Sequence, residues 1–365
     1  METCTYHFNT DKQVHLRAKG HAKLWRFCHA LGMPSDFVEA TAIFDVMSES
    51  WSARPSIAPP AFASDITDDH SPFELSLALE GGQPELRMLV EAQGAPADLA
   101  SNWQASLRLN DRLARVYGVS LDRANLVADV FRPDDAGARF AIWHAACLRR
   151  EGVPTFKLYF NPQANGTARA ASSVKEALAR LGFARAWDWL TTNALRCDRH
   201  QLVYFSLDLS GGTEARVKIY VAYDAATAGE VEEVMSRAPR YHAGDARAFC
   251  TAMTGSDGPY RARPVILCMA FVAADDACPK TVTFHLPIRC YVKDDLVAMQ
   301  RICGFLPGAD AALYQRALTS LADRRLDDGV GLQTYASIRR EGDGMRLTTY
   351  LSPELYGVAR PRRVV

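Results

Sequence analysis

The chain has 365 residues, 48% of them hydrophobic and 23% charged, and its 42 Lys plus Arg balance 42 Asp plus Glu, so the formal net charge is +0. That is a globular composition. It lacks the basic surplus of a general nucleic-acid binder, and no apolar run approaches the roughly 20 residues of a membrane span. The opening METCTYHFNTDK also lacks the basic, apolar and small-residue succession of a signal peptide, so a single soluble, cytoplasmic domain over residues 1–365 is expected.

In chain order, HLRAKGHAKLWRFCHALG has helical periodicity, and a long loop is expected near residues 51–71. Five pairs of strand-like runs follow, each joined by a short Gly-, Asp- or Pro-bearing turn. They are FELSLALE with ELRMLVEAQ, RFAIWHAACL with TFKLYFNP, LVYFSLDL with EARVKIYVAY, PVILCMAFVA with TVTFHLPIRCYV, and LQTYASIRR with MRLTTYLSP. The pairs begin near residues 73, 139, 202, 264 and 331, a recurrence of 60-odd residues. Between them lie further helical patterns: SVKEALARLGFARAWDWLTT, DDLVAMQRICGFL and AALYQRALTSLADRRL. Residues 240–263 read as loop. The pattern is two helices and a hairpin, about five times over, which signals a repeated supersecondary architecture.

Ten antiparallel strands with helices on one side are expected to close into a barrel, because closure removes exposed edges. A barrel of that size exceeds the eight strands that side chains fill and leaves a lumen. EARVKIYVAYD then gains a meaning. Val217, Ile219, Val221 and Tyr223 form its apolar outer face, and Arg216, Lys218 and Tyr220 point inward. The same alternation on other hairpins adds Glu74, Arg87, Lys157, Tyr159, Arg289, Tyr291 and Tyr350. Residues two apart on a strand stand about 6.5–7 Å apart, so Arg216 and Lys218 can grip one multiply charged group. Several cations enclosed together repel unless an anion joins them, and diphosphate suits Arg forks and Lys point charges. Tyrosine faces beside the cations suit a second, positive species. Together they fit heterolysis of an allylic diphosphate with the cation kept from water.

These residues resemble the indole prenyltransferases of the dimethylallyltryptophan synthase type. The segments that carry the likeness are SPFELSLALEGGQPELRMLVEAQG, FKLYFNP, ARVKIYVAYD, HLPIRCYV and LTTYLSPELY, in family order over residues 73–356. The resemblance implies an α+β fold, the ABBA barrel of ten antiparallel strands ringed by helices, and the length is similar to the compact bacterial members. It implies Arg87, Lys157, Arg216 and Lys218 as diphosphate ligands, with Tyr159, Tyr220, Tyr291 and Tyr350 as the cation shield. It implies Glu74 as acceptor of the indole N–H. Arg289 departs from the usual neutral or lysine side chain and is a candidate further phosphate ligand. No lysine stands where some members keep the base for the ring proton. His144 lies near that place and is the candidate, and Glu74 can take the proton if the bond forms at nitrogen. The implied substrates are dimethylallyl diphosphate and tryptophan or a small tryptophan derivative, handled by a monomer or weak homodimer without nucleic acid or membrane.

No D-D-x-x-D cluster is present, and DITDDH at 65–70 is only a loose relative. Basic residues can replace a metal at the diphosphate, so no cofactor is expected to be required, with Mg²⁺ at most stimulatory. Nine cysteines form no C-x-x-C pair and read as reduced thiols. His285 shares the strand parity of Arg289, whereas Tyr335 and Tyr356 read as structural. Two rival functions remain at this point. A nucleic-acid-binding sheet also displays Arg, Lys and aromatics, and a same-fold enzyme can take a phenolic acceptor. A non-catalytic isoprenoid carrier would not need the cation cluster.

Overall fold

The computed structural model describes residues 6–8, 14–134, 137–239, 241–341 and 344–362. A short strand β1 (Tyr6–Phe8) precedes α1 (Leu16–Ala30) and α2 (Phe37–Ser48), which lead to β2 (Phe73–Glu80) and β3 (Gln83–Glu91). Next come α3 (Leu99–Tyr117), α4 (Asp122–Val127), β4 (Ile142–Arg149) and β5 (Thr155–Phe160). The third unit is α5 (Ala170–Arg180), α6 (Ala184–Asn193), β6 (His200–Asp208) and β7 (Val217–Tyr223). The fourth is α7 (Ala228–Met235), α8 (Asp245–Thr254), β8 (Val265–Phe271) and β9 (Thr281–Leu286). The fifth is α9 (Asp295–Phe305), α10 (Gly308–Leu321), β10 (Gln333–Glu341) and β11 (Gly344–Leu351), and β12 (Gly357–Ala359) pairs with β1. The helix–helix–hairpin unit thus recurs five times.

Strands β2 to β11 form a closed antiparallel barrel, sealed by pairing of β9 with β10 and of β11 with β2. The tight turns set the register. Between the paired Glu80 and Gln83, Gly81 and Gly82 sit at φ +58° and +80°, the two positive dihedrals a two-residue hairpin turn requires. Each strand then alternates. On β7, Val217, Ile219, Val221 and Tyr223 join the apolar layer under the helices, each 1% exposed or less. Burying a side chain of that size stabilises by about 1.5–3 kcal/mol. Ten strands repeat the pattern, so the main core is the annulus between barrel and helices, and the lumen is free for polar groups.

Two expectations change. Residues 240–263 are not all loop, since they contain α8, whose Phe249, Cys250 and Met253 are buried on one face. The second strand of the fourth hairpin stops at Leu286, because Pro287 has no N–H to give the ladder, and a single 3₁₀ turn, Ile288–Cys290, follows. Among the described residues no helix is long and apolar enough to cross a membrane.

Candidate active site

The lumen divides into two compartments. The first has about 730 Å³ of empty space and is lined by six basic side chains: Arg87, Lys157, Arg216, Lys218, Arg339 and Arg346. Among the described residues three carboxylates reach them: Glu80, at 3.6 Å from Arg346 Nη1, Glu85 and Asp208. Glu85 accepts from Arg87 Nε at 2.6 Å and lies 2.8 Å from Arg346 Nη2. Asp208 accepts from Arg216 Nε at 2.7 Å and lies 3.8 Å from Lys218 Nζ. Burial pushes both acids up, but the Arg87, Arg346 and Lys157 charges outweigh it at Glu85, as those of Lys218, Arg216 and Lys157 do at Asp208, and both stay ionised far below the usual carboxylate range. Asp208 faces three of these cations at once, Lys218, Arg216 and Lys157. The strain shows at Lys218, where burial and then the neighbouring Lys157 and Arg216 push the ammonium well below its ordinary value. Lys157 Nζ donates to Cys147 Sγ at 3.2 Å, a weak acceptor for a buried ammonium. A polyanion entering here would find its charge awaited.

The second compartment has about 690 Å³ of empty space and is largely aromatic, with Trp143, Tyr204, Tyr335 and Ile266 in its wall. Glu74, Tyr159, Tyr220, His285 and Tyr350 line both compartments and mark the seam. Their rings form a chain. Tyr159 and Tyr220 have centroids 5.9 Å apart, Tyr220 and His285 5.8 Å, His285 and Tyr350 5.6 Å, and Tyr350 and Tyr335 6.4 Å. Burial raises the phenols of Tyr159, Tyr220 and Tyr350, so they stay neutral and offer ring faces. Each face stabilises a desolvated cation by roughly 2 kcal/mol.

Glu74 is 4% exposed and accepts from Thr334 Oγ1 at 2.8 Å. Burial, only partly offset by Thr334 and the Arg289 charge, pushes its carboxyl up to about 8. The empty seam therefore holds a mostly neutral acid at pH 7, and an N–H donor or a cation beside it would draw it into the carboxylate form.

Eight of the eleven candidates from the sequence come together here: Glu74, Arg87, Lys157, Arg216, Lys218, Tyr159, Tyr220 and Tyr350. Three do not. His144 sits between the inward Trp143 and Ala145 on β4, so it points out of the barrel, where its Nε2 meets Asn110 Oδ1 of α3 at 2.7 Å. Burial pushes it down to about 3, leaving a neutral core histidine. Arg289 and Tyr291 fall beyond the end of β9. Arg289 pairs with Asp68, donates to the Thr334 carbonyl at 2.7 Å and lies 4.9 Å over the Tyr335 ring, in the aromatic compartment away from the basic cluster. Tyr291 packs on Tyr260 and donates to the Arg263 carbonyl at 3.1 Å, outside both compartments. The DITDDH segment is also engaged. Asp68 binds Arg263 at 2.9 Å as well as Arg289, and Asp69 accepts from the Tyr356 backbone at 3.0 Å.

Sequence reasoning missed Arg339, Arg346, Tyr204, Tyr335 and Trp143. The signal was present for the fifth hairpin. Arg346, Thr348 and Tyr350 alternate on β11, and Tyr335, Ser337 and Arg339 on β10, so the parity of Tyr350 carries the others with it.

Comparison with known proteins agrees with this geometry. The sequence pattern described as tryptophan dimethylallyltransferase matches residues 48–312. The chain belongs to that family. Its fold matches the 6-dimethylallyltryptophan synthase of Micromonospora olivasterospora, solved in complex with DMASPP and Trp, with a TM-score of 0.90 at 32% identity over 96% of this chain and 100% of that one. PriB, solved as a ternary complex with L-tryptophan and dimethylallyl thiolodiphosphate, gives 0.87 at 34% identity over 96% and 100%. The curated prenyltransferase anuH of Penicillium roqueforti is 25% identical over 180 residues, and the chain spans only 40% of that relative's length. As a member of the tryptophan dimethylallyltransferase family, the protein carries the closed ABBA barrel foreseen from the hairpin repeat.

Proposed function

We infer that the protein transfers a dimethylallyl group from dimethylallyl diphosphate to the indole ring of tryptophan. The observation that carries this reading is the seam: a basic compartment and an aromatic compartment meet at one carboxyl and a chain of tyrosines. Family membership supports both substrates, as do the ligands in two relatives of matching length.

Diphosphate sits among Arg87, Lys157, Arg216 and Lys218, with Arg339 and Arg346 beside them. Placed where negative charge develops, these groups lower the barrier to breaking the C–O bond. The allylic cation forms at the seam between Tyr159, Tyr220 and Tyr350. Tryptophan lies in the aromatic compartment with its N–H directed to Glu74, which in its carboxylate form makes the ring more nucleophilic. A ring carbon attacks the cation, the new C–C bond forms, and loss of the ring proton restores aromaticity. Holding the two reactants together makes the addition effectively intramolecular.

The basic side chains take the place a metal holds in carboxylate-cluster enzymes, so the reaction proceeds without Mg²⁺. The test is incubation of the protein with tryptophan and dimethylallyl diphosphate in excess EDTA, read by mass spectrometry and NMR. Prenylated tryptophan is expected. No adduct on any indole acceptor would sink the function, and activity that EDTA abolishes would sink the metal-free mechanism alone. Turnover of phenols but not of indoles would move the assignment to a phenolic acceptor.

A further inference from the structure

Rearomatisation needs a base, and the barrel has displaced His144 from that role. Glu74 is poorly suited to it for attack at carbon, since its carboxyl is engaged with Thr334 and is committed to the indole nitrogen. Another group lies at the seam without a task. His285 is carried on β9 opposite Ser337 of β10 and Ile266 of β8, with its ring turned into the lumen. It stands between the rings of Tyr220 and Tyr350, at 5.8 and 5.6 Å between centroids, and lines both compartments. Its Nε2 is shut from solvent and has no hydrogen-bond partner. A buried polar atom left unmet costs about 1–3 kcal/mol, so such an atom at a ligand seam calls for a ligand-linked explanation.

We propose that His285 is a catalytic residue, the general base that takes the ring proton from the prenylated indolium intermediate. This rests on the prenyl transfer inferred above. The step balances as follows. The C–H electron pair returns to the ring, the proton passes to a free imidazole nitrogen, and the imidazolium faces the released diphosphate. The proton leaves with the diphosphate, and neutral imidazole is restored. Charge favours the order of events. In the empty barrel, burial and then Arg87, Arg339 and Lys218 hold the imidazole neutral, down to about 3. It is thus ready to accept a proton, and the arenium ion is a far stronger acid than even this imidazolium. Diphosphate beside it offsets the three cations at the moment the imidazolium forms.

The test compares the wild type with His285→Gln, of similar volume, and His285→Phe, using tryptophan deuterated on the indole ring and donor labelled with ¹⁸O at the bridging position. If His285 is the base, turnover falls by at least about 100-fold, the usual worth of a positioned base. A primary deuterium isotope effect larger than that of the wild type appears, and ¹⁸O scrambles into non-bridging positions of recovered donor, because ionisation continues while proton loss stalls. Unchanged turnover overturns the proposal. So does a fall without isotope effect or scrambling, which would mark a role in binding. Retained diphosphate affinity shows that a variant is folded, and the two substitutions guard against misfolding of either one. A wild type that makes no prenylated tryptophan would instead remove the underlying reading.

Discussion

The two compartments are built by the same strands with opposite chemistry, and the difference lies in position along each strand. On β5, Lys157 faces the basic end and Tyr159 the seam, and on β7, Lys218 and Tyr220 repeat that step. On β11 the step runs from Arg346 to Tyr350. The basic end crowds like charges when empty, with Lys157, Arg216 and Lys218 gathered around Asp208. The aromatic end is closed on itself, since its two arginines, Arg263 and Arg289, are held by Asp68. One end is thus prepared for an anion and the other for a flat, neutral ring. An allylic diphosphate ionising across the seam leaves its anion in the first and delivers its cation to the second.

The largest effect that would break this contrast is loss of a cation from the basic end. Lys218→Met should lower kcat/KM for the donor by about 10²–10³-fold, the usual worth of a group stabilising developing charge, and leave the KM for tryptophan within about twofold. A matching rise in the KM for tryptophan would mean that the compartments are not separate. Lys218 also gives a pH signature. Its ammonium is depressed in the empty barrel and an anion that favours the charged form raises it again, so binding takes up a proton wherever the empty form is part neutral. Diphosphate affinity should therefore weaken as pH rises. Calorimetry in buffers of different ionisation enthalpy should register proton uptake, and uptake should vanish in the variant.

Next in size is Glu74. Its carboxyl, pushed up to about 8, must ionise to accept fully from the indole N–H, so kcat/KM for tryptophan should rise with pH through that value and fall below it. Glu74→Gln should cost about 10–100-fold on the alkaline side, the worth of a hydrogen bond to a charged group, and only a few-fold near pH 6, where the native acid is itself neutral. A pH profile of the variant that keeps the limb near 8 would assign that limb to another group. Tyr220 follows. Replacing its ring with leucine should slow turnover by about 30-fold, from roughly 2 kcal/mol of lost cation stabilisation, and should raise the yield of dimethylallyl alcohol as water reaches the cation. Tyr220→Phe keeps the ring face and should stay within a few-fold. Equal losses in both variants would place the effect in the hydroxyl.

The barrel and most of its lining were legible because hairpins advertise themselves twice, by turn residues and by a two-residue period. Tyr159, Tyr220 and Tyr350 needed only strand parity. The misreadings share one physical origin, the ends and faces of strands. Arg289 and Tyr291 looked like a continuation of β9 because Leu286, Ile288 and Val292 keep an apolar rhythm, yet Pro287 ends the ladder between them. Tyr335 looked structural because the bulge between Gln333 and Tyr335 hides its phase. The division into compartments was not readable at all, since it depends on how far each strand is staggered around the closed barrel.

The smallest expected effect tests the phase of the whole arrangement. His144→Gln should leave turnover within about twofold and should lower stability by about 1–3 kcal/mol, the cost of disturbing a buried hydrogen bond. The bond to Asn110 holds β4 against α3, so thermal denaturation should register the change and kinetics should not. The opposite outcome would reach well beyond one residue. Successive strand residues face opposite sides, so a catalytic His144 would require β4 to be flipped by one position. Trp143, Ala145 and Cys147 would then leave the lumen together, and Lys157 would lose its contact with Cys147. A residue outside the site thus checks the register on which every residue inside it depends.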